Sequence, residues 1–311
     1  MDELRSSNNS LSGKRLHLTK GVHIVVDHKK LPVRQAIYFE VEDGRMIFAI
    51  PRGAKTYIGT TDTSYVGSKD EVYASADDIE YLLKGIKQNF EKINLQKQDV
   101  ESSWAGLRPL IHEDGKSASE LSRKDEIFQS GSGLISIAGG KLTGYRKMAE
   151  RVVDMVVEEH FKERQLNPCA TDTILLSGNA FKNYQEVVQY RVSIQKQLAI
   201  SGLQDQANYL VSTYGNQTDN ILLHARQAGN ISGNSLLQAE LDFSVEHEMA
   251  LRPCDFLIRR TGWLFFDISK LKRVEQAVLE FYRDRFGWDV DKQKEEKLLL
   301  EQVIMNSTNN A

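Results

Sequence analysis

Apolar residues fall in short β-branched runs through the first half of the chain and recur every three or four positions through the second. Residues 22–26 and 36–41 are runs of the first kind, and Glu42-Asp43-Gly44-Arg45 then places Asp-Gly ahead of a third run at 46–50. Asp-Gly between apolar runs is the strongest short-range signal of a hairpin. Pro51-Arg52-Gly53-Ala54-Lys55 turns the chain again before a strand at 56–60. Consecutive strands joined by such short turns must be antiparallel neighbours. Residues 1–15, polar, basic and rich in Ser and Asn, are expected to lead in as a loop.

Helical spacing first appears after Ser75, which stands as N-cap with Asp77 and Asp78 behind it and Ile79, Leu82, Leu83, Ile86 and Phe90 on one stripe. This helix is expected to cover the sheet. Ile127-Phe128 and the run 134–138 read as a second hairpin, followed by Gly139-Gly140 and a long helix with Tyr145, Met148, Ala149, Val152, Val153, Val156 and Val157 on one face. Beyond Asn167-Pro168 strand signals nearly vanish, and helical patterns follow at 184–201, 204–214, 218–228, 236–250 and 273–286. The expectation is an α+β chain in two domains: an antiparallel sheet with covering helices and a final strand–helix over 1–166, then an all-α domain over 167–311.

With 41% apolar residues, the 311-residue chain can bury a core in each domain. Lys and Arg number 40 against 43 Asp and Glu, so no field of one sign is available to hold a nucleic acid. The longest uncharged apolar runs fall far short of the roughly 20 residues of a spanning helix. Cys169 and Cys254 are too few for a disulfide framework, and the N-terminus lacks a basic segment followed by an apolar one. The chain reads as cytoplasmic.

Three places could carry chemistry. The first is Ala138-Gly139-Gly140-Lys141-Leu142-Thr143-Gly144, where glycines between a strand and a helix let a ligand approach backbone amides at the positive helix end. Lys141 there opposes the helix dipole, a broken local rule of the kind that marks function; a tight corner with a solvated lysine is the plain alternative. The second is Gly106-Leu107-Arg108-Pro109, with Arg123 fifteen residues on, two guanidinium groups suited to a phosphate or carboxylate or else to ordinary ion pairs. The third is His23 in an alternating strand, either a satisfied core histidine or a general base. Glu246-His247-Glu248 lacks the second histidine of a zinc helix, so no metal is expected.

These segments together resemble a known family. Lys20-Gly21-Val22-His23-Ile24-Val25-Val26, Phe48-Ala49-Ile50-Pro51, Ile58-Gly59-Thr60-Thr61-Asp62-Thr63, Gly106-Leu107-Arg108-Pro109-Leu110 and Gly139-Gly140-Lys141-Leu142-Thr143-Gly144-Tyr145-Arg146-Lys147 are similar, in order, to motifs of the FAD-dependent bacterial (aerobic) glycerol-3-phosphate dehydrogenases and alpha-glycerophosphate oxidases. Val245-Glu246-His247-Glu248-Met249-Ala250 and Asp255-Phe256-Leu257-Ile258-Arg259-Arg260-Thr261 resemble that family's C-terminal helical domain.

The resemblance implies oxidation of sn-glycerol 3-phosphate to dihydroxyacetone phosphate with FAD as cofactor, and a quinone or, in the oxidases, oxygen as electron acceptor. Residue by residue it makes Arg108, Arg123 and Lys141 the substrate-binding cations and His23, with Arg108 and Lys141, catalytic. Gly139, Gly140, Leu142 and Thr143 would present backbone to the flavin. Contact with the inner face of the cell membrane and a homodimer stay open. In that family the flavin-binding strand and its Gly-rich turn precede the segments matched, so the resemblance implies a fragment that is catalytic only when joined to a flavin half. A non-catalytic interaction module that keeps these residues as relics is the alternative from another class. Joint retention of His23, Arg108, Arg123 and Lys141 favours the enzyme.

Overall fold

The long strand β1 (Lys14–Asp27) organises the first half of the molecule, which is described by a computed structural model over residues 1–113, 124–176, 181–227 and 229–308. β2 (Ile37–Glu40), β3 (Met46–Arg52) and β4 (Lys55–Gly59) form the expected antiparallel series, with Gly44 and Gly53 at positive φ in the two tight turns. β4 pairs with the second half of β1 and the two-residue β5 (Thr63–Ser64) with its first half. The sheet runs β2-β3-β4-β1-β5, and β6 (Val100–Glu113) pairs with β1 on its other side.

β6 is antiparallel to β1 from Lys14↔Glu113 to Val26↔Val100, broken by one irregularity at Val25/Val26. Sequence pattern misses this strand because Gly106 and Pro109 interrupt it; a proline is tolerated here because, among the described residues, β6 pairs with β1 alone. The lead-in is likewise no loop throughout. α1 (Asp2–Ser7) forms there, and Arg5 anchors it: its side chain is buried, donates to the Lys14 carbonyl at 2.8 Å and lies over the Phe128 ring at 4.3 Å.

α2 (Ala76–Asn89) starts at the expected cap, with a reciprocal Ser75–Asp78 capping box. Its Ile79, Leu82 and Ile86 are fully buried against Val22, Ile24, Val26, Ile47 and Ile58 of the sheet, each contributing about 1.5–3 kcal/mol. Close approach is possible because Gly85 faces Val41 and Ile47, where a Cβ would come within 3.0 Å of both. Asp78 also accepts a 2.5 Å bond from Lys20 of β1. Burial alone would raise that carboxyl, but the bonds from Lys20 and Ser75 outweigh burial and hold it below its ordinary value.

β7 (Glu126–Gln129) and β8 (Ile135–Ala138) form the second hairpin. A 3₁₀ turn, Leu142–Gly144, then separates Lys141 from α3 (Tyr145–His160). Lys141 is therefore not in the first turn of α3, contrary to the dipole reading of the sequence. Arg146 and Lys147 are, and Glu150 offsets both at 2.9 and 2.7 Å. None of the sixteen residues of α3 is buried, and Tyr145 and Val153 on its apolar stripe are 60% and 57% exposed.

The chain passes into a second compact unit between Ile174 and Leu175. There α4 (Tyr184–Ala199), α5 (Gln206–Tyr214), α6 (Thr218–Gln227) and α7 (Gly233–Glu248) surround one core around Ile194, Leu210, Ile221 and Leu236. A π-helical segment (Asp255–Arg260), α8 (Trp263–Phe266), α9 (Ile268–Phe286) and α10 (Val290–Thr308) surround another around Phe256, Leu271, Val278 and Tyr282. The aromatic run at 263–266 packs inside, with Trp263 3% and Leu264 1% exposed. Sequence pattern misses α10, whose apolar residues make no clean stripe. No helix among the described residues is long and apolar enough to cross a membrane.

Two cores within the helical unit predict independent folding. The excised segment 181–306 is expected to show strong helical circular dichroism and one cooperative thermal transition, and a gradual, featureless melt would refute this. In the sheet, Lys20→Met leaves the Asp78 carboxylate buried without its cation and is expected to cost about 3–5 kcal/mol in urea denaturation. A loss below 1 kcal/mol would assign the pair no structural weight.

Candidate functional site

The register of β1 with β4 and β6 gives the sheet two unlike faces. Lys20, Val22, Ile24 and Val26 point to α2, so Thr19, Gly21, His23 and Val25 point the other way. Opposite them stand Arg108 (with Thr19), Gly106 (with Gly21), Trp104 (with His23) and Gly59 (with His23 from the β4 side). The face turned away from α2 therefore carries His23 and Arg108 together.

Three glycines, 21, 59 and 106, hollow this face. A Cβ at Gly21 would collide with the Arg108 guanidinium and one at Gly59 with the His23 ring, while Gly106 faces open space. Arg108 lies across Gly21 and donates from Nη2 to Thr60 Oγ1 at 2.8 Å and from Nη1 to the Thr61 carbonyl at 3.1 Å, with Asp62 Oδ1 at 3.4 Å. The 60–62 connection thus holds the guanidinium in one orientation while about a third of the side chain stays exposed. Fixing a guanidinium in this way prepares it for a bidentate anion.

His23 is held by rings rather than by hydrogen bonds. Trp104 stacks on it at 4.8 Å and 11°, Phe48 lies at 5.6 Å and Tyr57 at 6.3 Å. Its Nδ1 is buried and has no hydrogen-bond partner among the described residues. Burial, and then the positive charge of Arg108, push its pKa down to about 4. At neutral pH the ring is therefore uncharged and has a lone pair available for a proton.

The double glycine forms a separate corner. Gly139 and Gly140 have φ of 78° and 79°. On the inner side a Cβ at Gly139 would run into the Lys124 carbonyl and would stand 3.1 Å from Ile111 of β6; on the outer side Gly140, Lys141, Leu142 and Thr143 are exposed. Lys141 takes no partner among the described residues. Ile111 lies three residues beyond Arg108 on β6, about 10 Å along the strand and, by alternation, on the opposite face from His23 and Arg108. Exposed backbone ahead of a helix N-terminus fits the edge of a flavin ring on which negative charge builds up. The chain contains no G-x-G-x-x-G turn for the pyrophosphate of the dinucleotide, so the residues present fit one edge of FAD.

Arg123 lies outside the described residues. Phe48, Tyr57, Thr60, Asp62 and Trp104 are additions that residue-by-residue reading assigns no role. Their signal is the register, because Trp104 and His23 lie opposite each other only once β6 is known to pair with β1.

If Trp104 and burial keep His23 neutral, Trp104→Leu is expected to raise the imidazole pKa from about 4 toward the ordinary histidine range, read by NMR titration of the ring carbons; an unmoved value would separate the stack from the shift. The linkage has a definite sign. An unfolded chain protonates His23 below about pH 6.5 and the folded one resists until about 4, so this residue's contribution is lost as pH falls through that window. Between pH 7 and 5 the wild type should lose more stability to urea than His23→Asn, and equal losses would contradict the assignment.

Comparison with known proteins bears on both halves of the chain. A family model of FAD dependent oxidoreductases matches residues 3–146, and a model of the C-terminal domain of alpha-glycerophosphate oxidase matches residues 169–293. The chain is 44% identical over 298 residues to the aerobic glycerol-3-phosphate dehydrogenase of Bacillus subtilis (strain 168), covering 93% of this chain and 53% of that protein. It is 42% identical over 297 residues to the enzyme of that name from Staphylococcus aureus (strain USA300), with the same coverage. The X-ray structure of the glycerol-3-phosphate dehydrogenase from Bacillus halodurans complexed with FAD superposes with a TM-score of 0.87 at 42% identity, covering 98% of this chain and 60% of that one. The chain spans about half the length of the curated relatives it matches. Both family models match in order and the same relatives align across both halves, so the chain is similar along nearly its whole length to FAD-dependent glycerol-3-phosphate dehydrogenases.

Proposed function

We propose that this chain supplies the substrate-binding sheet, the last strand–helix of the flavin domain and the C-terminal helical domain of an enzyme that oxidises sn-glycerol 3-phosphate to dihydroxyacetone phosphate. The observation that carries this reading is the pairing of a neutral, ring-held His23 with a fixed Arg108 on one hollowed sheet face. A polyol phosphate needs both an anion receptor and a base, and this face offers one of each.

Arg108, with Lys141 and Arg123, binds the phosphate and the C2 oxygen as negative charge develops on that oxygen. His23 accepts the C2 hydroxyl proton; burial that disfavours the imidazolium also makes it release that proton readily. Gly139, Gly140, Leu142 and Thr143 would hold the flavin edge through backbone. When bound, FAD supplies the two-electron acceptor for the hydride from C2. A quinone takes the electrons onward in this reading, at the inner face of the cell membrane, and oxygen is the alternative acceptor. The unburied apolar stripe of α3, with Tyr145 and Val153 outermost, is the surface that the rest of the flavin domain covers.

Purified by itself, the 311-residue chain is expected to lack flavin absorbance, since its residues fit one edge of the cofactor; stoichiometric yellow protein would overturn that. Joined to a flavin-binding half of the family, the chain should turn over glycerol 3-phosphate. In that assembly Arg108→Ala or Lys141→Ala is expected to remove about 2–4 kcal/mol of transition-state binding, roughly 30- to 1000-fold in kcat/KM. His23→Asn should lower kcat more than it changes KM. Wild-type kcat/KM in a folded Arg108→Ala variant would refute the assigned role.

A further inference from the structure

The helical unit holds a cluster of polar atoms that the sheet face does not use. On α7, Glu240, Ser244 and Glu248 are spaced four apart and share one side of the helix. Tyr209 and Tyr214 come from α5. Each carries a buried side-chain oxygen that, among the described residues, closes no hydrogen bond of good geometry: Glu240 Oε1, Ser244 Oγ, Glu248 Oε2 and the two tyrosine hydroxyls. Glu240 and Ser244 are 3% and 0% exposed, and Tyr214 is 5% exposed. Buried polar groups in native proteins are nearly always satisfied; Tyr209 and Tyr214 face Glu240, which leaves Glu248 Oε2 at the outer end as the oxygen most in want of a donor.

The outer end of this cluster opens into a cavity of about 570 Å³, lined by Val211, Tyr214, Phe243, His247, Glu248 and Arg260 among others. Two of the five buried oxygens are carboxylate oxygens, which only accept, and the Tyr209 and Tyr214 hydroxyls face Glu240, so that each can give its O–H to that carboxylate and keep lone pairs to accept. α5 and α7 both end here, at Tyr214 and Glu248, and their C-terminal carbonyls add negative potential. The nearest resident cation does not close the site, because Arg260 Nε stands 3.9 Å from Glu248 Oε2, attractive but beyond hydrogen-bond reach. Lys270 faces Glu240 from the core side, with its ammonium over the Trp263 and Tyr209 rings at 3.8 and 4.5 Å. Phe243 and Tyr214, edge-to-face at 5.7 Å, supply aromatic wall, and Val211 supplies aliphatic wall.

We propose that this cavity binds a small organic molecule bearing a primary ammonium, which donates to Glu248 Oε2 and the Tyr214 hydroxyl while its carbon chain lies against Phe243 and Val211. An ammonium provides three donors and no acceptor, which complements the Glu248 carboxylate oxygen and the lone pairs of the Tyr214 hydroxyl, the two of these groups that line the cavity. Aromatic walls favour the same cation over an anion or an uncharged alcohol. Among the described residues no group of three or more His, Cys, Asp or Glu could hold a metal ion, which leaves the organic cation as the better fit.

The probes are n-butylammonium, n-butanol and n-butyrate, which share a chain length and differ in the head group, titrated into the 311-residue chain by calorimetry at one ionic strength. Binding of n-butylammonium at least tenfold tighter than either of the other two is expected, with that preference lost in Glu248→Gln and reduced in Tyr214→Phe. Equal binding of n-butanol would show an apolar cavity alone, and tighter n-butyrate would show an anion site centred on Arg260. Either result overturns the proposal, as does the absence of n-butylammonium binding or an undiminished affinity in folded Glu248→Gln. The outcome does not depend on turnover of glycerol 3-phosphate.

Discussion

The antiparallel pairing of β1 with β6 is the constraint on which the sheet and its chemistry depend. Side chains alternate with a period of two, so a slip of one residue would carry Val22, Ile24 and Val26 away from α2 and bring His23 and the arginine partner face into the core. The fully buried valines and isoleucines make that slip costly, at about 1.5–3 kcal/mol for each side chain. Hydrophobic burial on one face thus fixes, at no further cost, which residues meet on the other. His23 lies opposite Trp104 because Val22 and Ile24 are buried.

Charge is divided between the two faces in different ways. On the α2 side, Lys20 and Asp78 neutralise each other and also cap the helix, a solution that leaves nothing available for a ligand. On the open side, Arg108 is oriented by two neutral oxygens and one carboxylate at 3.4 Å, and His23 is kept uncharged by burial and by that same guanidinium. A fixed cation beside a neutral imidazole is an arrangement suited to accepting an anionic alcohol. The glycines at 21, 59 and 106 complete it by removing the side chains that would fill the space.

Much of this was legible in the sequence. The Asp43-Gly44 hairpin, the Ser75 cap and the stripe Ile79, Leu82, Ile86 depend on local chemistry, and the structure reproduces them. β6 was not legible, because Gly106 and Pro109 weaken the local signal of a strand whose stability comes from pairing with β1, far away in sequence. The role of Trp104 was lost with it. Helix α1 depends on Arg5 meeting Phe128 and Lys14, again a long-range fact. Lys141 was misplaced by one short element, since a periodic pattern that starts at Tyr145 says nothing of a 3₁₀ turn before it. Candidate residues carried by motif, His23 and Arg108, do meet on one face, whereas the corner at Gly139-Gly140 is connected to them only through β6.

The claim that substrate meets this chain on the face bearing His23 and Arg108 is tested most directly by titrating glycerol 3-phosphate into isotopically labelled chain and mapping amide and side-chain shifts. Perturbations are predicted at Gly21, His23, Thr60, Trp104, Gly106 and Arg108, with Ile79, Leu82 and Ile86 of α2 unmoved. Saturable shifts confined to other surfaces, or none at the His23 and Arg108 side chains, would contradict the account.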